Sequence, residues 1–477
     1  MSVVHPIFPL FHGPTLWERF RNQDHLSDRG FFASVMAACA LASARVRDGA
    51  VAEDRKVSRS GLEQQSEIFY SGAACAILKD FNKVQGLGYL RACGLLAMTA
   101  IQYGQIASMH QYLGHFCTLS AMQQFHDESR WPHNMTTIEK EESRRLFWAM
   151  YSLDVFAAVV FNGVLKFQEA SANVRYPREV DDEHITSTSC SPNVDGNWLR
   201  GWNVNTDLYR ILEHTIRQVR SSDQSRTDRA PVTHLLGPDR FNSVFAMESV
   251  NRLYSSLPAR FRDYTVPVTG NQAEDVYGFQ AAMIQVTYQL VRMTVFSVDT
   301  DHDLHQKCTI AEDLLSTLRS ICPRFFTLIS TPLVYHLGGI GHILATVTEG
   351  PLTEASYQRV RTSLVSMADL LENLESGLQP TALASKGLHA QVAKIDAQMQ
   401  SQRSSSTYAS SVTGAPPISY PPGQRSIFNQ HQPHAFNGVP ATAGQFQVPQ
   451  EVVSAWPWSF EPGNEPQHPV NMQGFNG

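Results

Sequence analysis

Between residues 137 and 161 the apolar positions Leu146, Met150, Leu153, Ala157 and Val160 recur at intervals of three and four, which sets them on one face of an α-helix. The start of this helix is encoded locally. Thr136 with Glu139 three positions on fits a capping box, and Glu139, Glu141 and Glu142 suit the positive end of the helix dipole. Asn162-Gly163 reads as its stop. Similar signals predict helices over 62–80, 88–124, 203–221, 241–257, 276–298, 305–322, 332–348 and 356–377. Period-two alternation bounded by turns is scarce, so the expected class is all-α, a large stacked-helix body. His5, Pro6, Pro9, His12 and Pro14 should interrupt any helix in the first twenty residues. The Ser/Asn/Gly/Pro-rich stretch 187–201 and the mixed-charge stretch 220–230 read as exposed loops. No repeat of fixed period is present.

Composition divides this pattern in two. From about residue 400 lysine vanishes, charge is confined to Arg403, Arg425, Glu451, Glu461 and Glu465, and 11 of the 25 prolines appear. Such a segment buries too little apolar surface to offset its ordering entropy. The expected organisation is therefore a helical domain over 1–396 and a disordered Pro/Gln/Ser/aromatic tail over 397–477. In that tail Trp456, Trp458 and Phe460 are candidate partner contacts, aromatics on a tether that would dock into a groove on another protein. Deleting 400–477 should leave helical content and the melting midpoint nearly unchanged.

Charge and cysteine usage exclude several functions. The formal net charge of −6 supplies no field toward phosphate backbones or anionic lipid, so unaided DNA binding is disfavoured. The first twenty residues lack the features of a signal peptide, and the run 146–161 carries Asp154 and falls short of the ~20 apolar residues a membrane span needs. A soluble, intracellular protein without membrane partners is expected. Seven cysteines are scattered without a C-x-x-C pair, so no thiolate cluster for zinc is expected.

The case for catalysis is thin. Asp181-Asp182-Glu183-His184 suggests a helical prenyl-diphosphate enzyme, whose magnesium clamp needs carboxylates one helical turn apart. The residue four beyond Asp181 is Ile185, which leaves that clamp one-sided. His336 and His342, six apart, fall on roughly opposite faces of a helix and are poor joint ligands. Gly338, Gly339 and Gly341 make no dinucleotide fingerprint and are better suited to close helix approach. No catalytic residue, cofactor site or metal site is therefore assigned. An effector-binding module with its ligand between helices is the other alternative.

Three stretches carry a family resemblance. The helix Glu139-Lys140-Glu141-Glu142-Ser143-Arg144-Arg145-Leu146-Phe147-Trp148-Ala149-Met150-Tyr151-Ser152-Leu153-Asp154, with Tyr176-Pro177 and Val180-Asp181-Asp182-Glu183 after it, resembles the signature of the middle homology region of fungal zinc-cluster transcription factors. The segments 202–214 and 257–261 are similar to later parts of the same domain. Tyr335-His336-Leu337-Gly338-Gly339-Ile340-Gly341-His342-Ile343-Leu344 resembles members encoded with fungal biosynthetic gene clusters. The resemblance spans about 5–390 and implies a nuclear transcription regulator of a pathway gene set, and the third stretch implies a secondary-metabolic one. It also implies structural roles for Arg144, Arg145, Trp148, Asp154, Asp181 and Asp182. The family's six-cysteine zinc cluster, basic linker and coiled coil have no counterpart in this sequence. DNA is then reached indirectly or through a missing N-terminal module, with coactivators, related factors and a small-molecule effector as the partners in view.

Overall fold

The structure, a computed structural model, describes residues 4–50, 59–191, 197–224, 242–298, 304–346, 353–376, 378 and 383–412. Among them stand fourteen α-helices and no strand. In chain order these are α1 (Gly13–Arg21), α2 (Arg29–Arg47), α3 (Arg59–Ala76), α4 (Leu87–Gln102), α5 (Ile106–Met122), α6 (Thr137–Val160) and α7 (Leu199–Gln224). They continue as α8 (Ser243–Ser255), α9 (Gln272–Val298), α10 (Leu304–Ser320), α11 (Pro323–Ile329), α12 (Thr331–Thr346), α13 (Glu354–Glu375) and α14 (Ala384–Val412). The all-α expectation is met.

The chain divides into two units, Met1–Ile395 and Asp396–Gly477. In the first, α2 packs against both α3 and α4, α4 against α5, and α7 against α9. Helix α6 touches α4, α7 and α12, and nearly every position from Ser143 to Ala158 is buried. Its capping box is formed. Thr136 Oγ1 accepts from the Glu139 amide at 3.1 Å, and Glu139 Oε2 accepts from the Thr136 amide at 2.7 Å. Of the second unit, residues 396–412 are described, and they are helical.

Several elements depart from the pattern reading, each for a physical reason. Gly13–Arg21 is helical despite Pro14, because the proline occupies the first turn, where its missing N–H has no intrahelical acceptor to lose. The helix expected over 88–124 is two helices, divided at Gly104, whose φ of +70° is the left-handed conformation that ends α4. Helix α2 went unforeseen because Phe31 to Ala44 is almost all apolar or small and shows no polar face. By length and composition α2 resembles a membrane span, yet it packs as a core helix between α3 and α4. Helix α7 runs to Gln224, into the stretch expected as a loop.

The same applies at the tail boundary. Helix α14 reaches Val412, because residues 396–412 contain Ala, Gln and Met and no proline, the first one beyond being Pro416. A cut at 400 would therefore shorten a helix. The expected result is that deletion of 413–477 leaves far-ultraviolet circular dichroism and the melting midpoint unchanged, whereas deletion from 400 lowers helical signal. A fall of several degrees for the shorter deletion would refute the tail assignment.

Candidate functional site

Inside the first unit lies a cavity of about 100 Å³, walled by α2, α4, α6, α7, α9, α11, α12 and the N-terminal segment Pro6–Phe8. That segment is fastened from the cavity's own walls. Gln280 Nε2 donates to the Pro6 carbonyl at 2.7 Å, and Trp202 Nε1 donates to the Ile7 carbonyl at 3.0 Å. Most of the lining is apolar, including Met98, Leu153, Phe156 and Phe279. A few polar side chains interrupt it, and no carboxylate is among them.

Of these polar groups His336 stands out. It is 5% exposed, its ring lies 6.0 Å from that of Phe156, and its Nε2 is buried with no hydrogen-bond partner among the described residues. Burial lowers its pKa to about 3, so the imidazole is neutral. Asn205 Oδ1 is a second buried polar atom without a partner there. The Tyr209 phenol, its pKa raised by burial, lies beside the Thr287 hydroxyl. Arg45 also lines the cavity, as do Ser152, Thr206 and Gln280: its Nη1 donates to the Leu328 carbonyl at 3.0 Å, and burial lowers its pKa to about 10 against the opposing effect of Asp48. A neutral imidazole and an amide oxygen left unsatisfied in an apolar cavity each cost about 1–3 kcal/mol unless something supplies their partners. The chemistry available here is recognition of a small ligand by shape and a few hydrogen bonds.

The signature residues sit close by and are heavily engaged. Arg144 pairs with Glu128 and, at 2.5 Å, with Glu141. Arg145 donates to Asp182 Oδ1 at 2.7 Å, while Asp182 Oδ2 accepts from the Gly13 amide at 2.8 Å and its carbonyl bonds His12 Nε2 at 2.7 Å. Both Asp182 oxygens are thus used in joining α6 to the start of α1. Asp181 accepts from Asn197 Nδ2. Trp148 is buried, with Nε1 donating to the Arg175 carbonyl at 3.0 Å. Asp154, fully buried beside the apolar face, accepts from the amides of Lys166 (2.6 Å) and Phe167 (2.8 Å), and Lys166 Nζ lies 3.3 Å from it. Burial raises its pKa even so.

Residues 1–228 match the family described as the fungal specific transcription factor domain. The match covers 228 of the 477 residues, and over that segment the chain is similar to such a domain. No curated protein and no solved structure matches the chain. The matched segment ends after α7, so residues 257–261 and 335–344, where the resemblance was also noted, lie beyond it.

The matched segment supplies the cavity walls at Pro6–Phe8 and on α2, α4, α6 and α7, and the remaining walls come from α9, α11 and α12 beyond its end. His336 and His342 part company here: His336 lines the cavity, whereas His342 lies near Lys394. Gly341 brings α12 close to α14, since a Cβ there would meet Leu388 at 2.7 Å. Trp456, Trp458 and Phe460 lie outside the described residues. Sequence reasoning did not single out Arg45, Asn205, Tyr209 or Thr287 for a site, because nothing in their local spacing marks residues drawn from three separate helices. It also missed an exposed trio, Asp369, Glu372 and His389, whose ligand atoms lie within 4.8 Å of one another. The seven cysteines are all free.

Proposed function

We propose that the chain is an effector-responsive transcription regulator of a pathway gene set, of the secondary-metabolite type that 335–344 resembles, acting in the nucleus. DNA is reached through a separate zinc-cluster module or through DNA-bound relatives, and the aromatics Trp456, Trp458 and Phe460 engage coactivators. The observation that carries the effector reading is the apolar cavity with unsatisfied polar atoms, His336 Nε2 foremost, at the meeting of seven helices and the N-terminal segment. A ligand that fills such a site stabilises the folded domain by mass action, about 2.7 kcal/mol at a hundredfold excess over Kd.

The test uses thermal melts of the full chain against a panel of small metabolites, with Ala149→Leu as the control. Ala149 is buried on α6 and lines the cavity, so the larger side chain fills it. Ala149→Leu is expected to raise stability by about 0.5–2 kcal/mol, as cavity filling commonly does, and to abolish any ligand-induced shift. A panel that leaves wild type unmoved, or that moves both proteins equally, counts against an effector site. In a reporter assay behind a heterologous DNA-binding domain, the compound that stabilises wild type should change output, and Ala149→Leu should not respond.

A further inference from the structure

If the cavity is an effector site, as proposed above, its own chemistry narrows what it can hold. Its volume of about 100 Å³ is somewhat below that of an engineered apolar cavity of about 150 Å³ that takes benzene. A single six-membered ring is therefore near the upper limit. The walls suit a ring: Phe156, Tyr209 and Phe279 present aromatic surface from α6, α7 and α9, where edge and offset contacts are favourable.

The polar requirement comes from the unsatisfied atoms. Asn205 Oδ1 is an acceptor and needs a donor. His336 Nε2 belongs to a neutral imidazole, in which it carries either a lone pair or a hydrogen, depending on the tautomer. A hydroxyl meets both forms of the imidazole: it donates to the first, and it accepts from the second, which leaves its own hydrogen to serve an acceptor such as Asn205 Oδ1. An ammonium would be buried without a counter-charge, because no carboxylate lines the cavity. A carboxylate would find a counter-charge in Arg45, whose Nη1 is already bonded to the Leu328 carbonyl, but it has no hydrogen to give Asn205 Oδ1 and costs more to desolvate than a neutral hydroxyl. We propose that the cavity binds a small uncharged hydroxylated ring compound of phenol size, with its hydroxyl on His336 Nε2 and its ring among Phe156, Tyr209 and Phe279.

Calorimetry and thermal melts of the full chain with phenol, benzene, benzoate and benzylammonium decide the matter. Phenol should bind saturably and about tenfold tighter than benzene, the worth of one well-formed hydrogen bond. His336→Leu should keep benzene binding and bring that ratio to within about twofold, while His336→Gln, which retains a polar head, should keep part of the preference. Equal binding of phenol and benzene, tighter binding of benzoate or benzylammonium, or a phenol preference unchanged by His336→Leu would each overturn the ligand class. Those outcomes leave the effector reading standing wherever the metabolite panel stabilises wild type but not Ala149→Leu. A cavity holding only ordered water would respond saturably to none of the four probes, which overturns this proposal, and a silent metabolite panel would then overturn the effector reading as well.

Discussion

Replacing Trp148 by alanine is expected to destabilise the first unit by about 3–5 kcal/mol, the range for removing a large aromatic from a packed interior. The indole sits in a nest of rings. Its centroid lies 5.3 Å from Phe147, 5.3 Å from Tyr151 and 4.8 Å from Tyr176, all edge to face. The loss therefore includes burial, a cavity beside neighbours that are themselves held, and the hydrogen bond to the Arg175 carbonyl. Tyr151 and Tyr176 cannot easily close the gap, because their hydroxyls bond Glu213 (2.8 Å) and Asp207 (2.6 Å). Trp148→Phe separates the contributions: it keeps much of the packing and forfeits the N–H donor, at a cost of about 1 kcal/mol for that bond. Urea denaturation followed by circular dichroism provides the measurement. An alanine variant with an unchanged midpoint would mean that the ring does not pack this way in solution.

Arg145→Met should be of similar size at neutral pH and should shrink in acid. The Arg145 and Asp182 side chains are 2% and 13% exposed, and breaking a buried pair by removing one partner costs about 3–5 kcal/mol because the other charge is stranded. Burial alone would push the Asp182 pKa up, but the Arg145 charge, the Gly13 amide and His5 outweigh it and hold the carboxyl below its ordinary value. A depressed carboxyl contributes stability that is complete above its unfolded pKa of about 3.9 and is lost as pH falls through the lower folded value. In Arg145→Met that carboxyl is stranded, so protonating it relieves the variant while wild type loses its ion pair. The difference between the two proteins should therefore narrow between pH 7 and pH 3. Asp182→Asn added to Arg145→Met should recover part of the loss at pH 7. A gap independent of pH would show that the pair contributes little.

Wild type should also weaken in acid through two histidines, the part-buried His5 and the buried His336. His5 is lowered to about 4, chiefly by burial and despite Asp182, and His336 to about 3. For such groups the unfolded chain takes up protons first, so stability falls as pH drops from about 6.5 toward the folded values.

What could be read from the sequence was whatever the backbone and nearest neighbours decide. The helix at 137–160 is specified by spacing at three and four and by Thr136 with Glu139, all within one helix length, and the all-α class follows from the same periodicity repeated. Where the local signal failed, a local rule was outweighed or silent. Pro14 was acceptable at a first turn, Phe31 to Ala44 had no polar face to betray its helix, and residues 396–412 retained helix-forming residues inside a segment of disordered composition.

Asp154 was visible as a carboxylate beside an apolar face that must find donors, and Asp181-Asp182 as a magnesium clamp with one side missing. Which donors they find is a tertiary matter: the Lys166 and Phe167 amides for Asp154, and Arg145 with the Gly13 amide for Asp182. The cavity lies wholly on that side of the divide. Asn205, Phe279 and His336 share no spacing, and only the packing of α7, α9 and α12 brings them to one space. The sequence determined helices and caps because those depend on residues within a turn or two. The satisfaction of a buried polar atom depends on residues far apart along the chain, so only the tertiary structure decided that His336 Nε2 and Asn205 Oδ1 have no partner among the described residues.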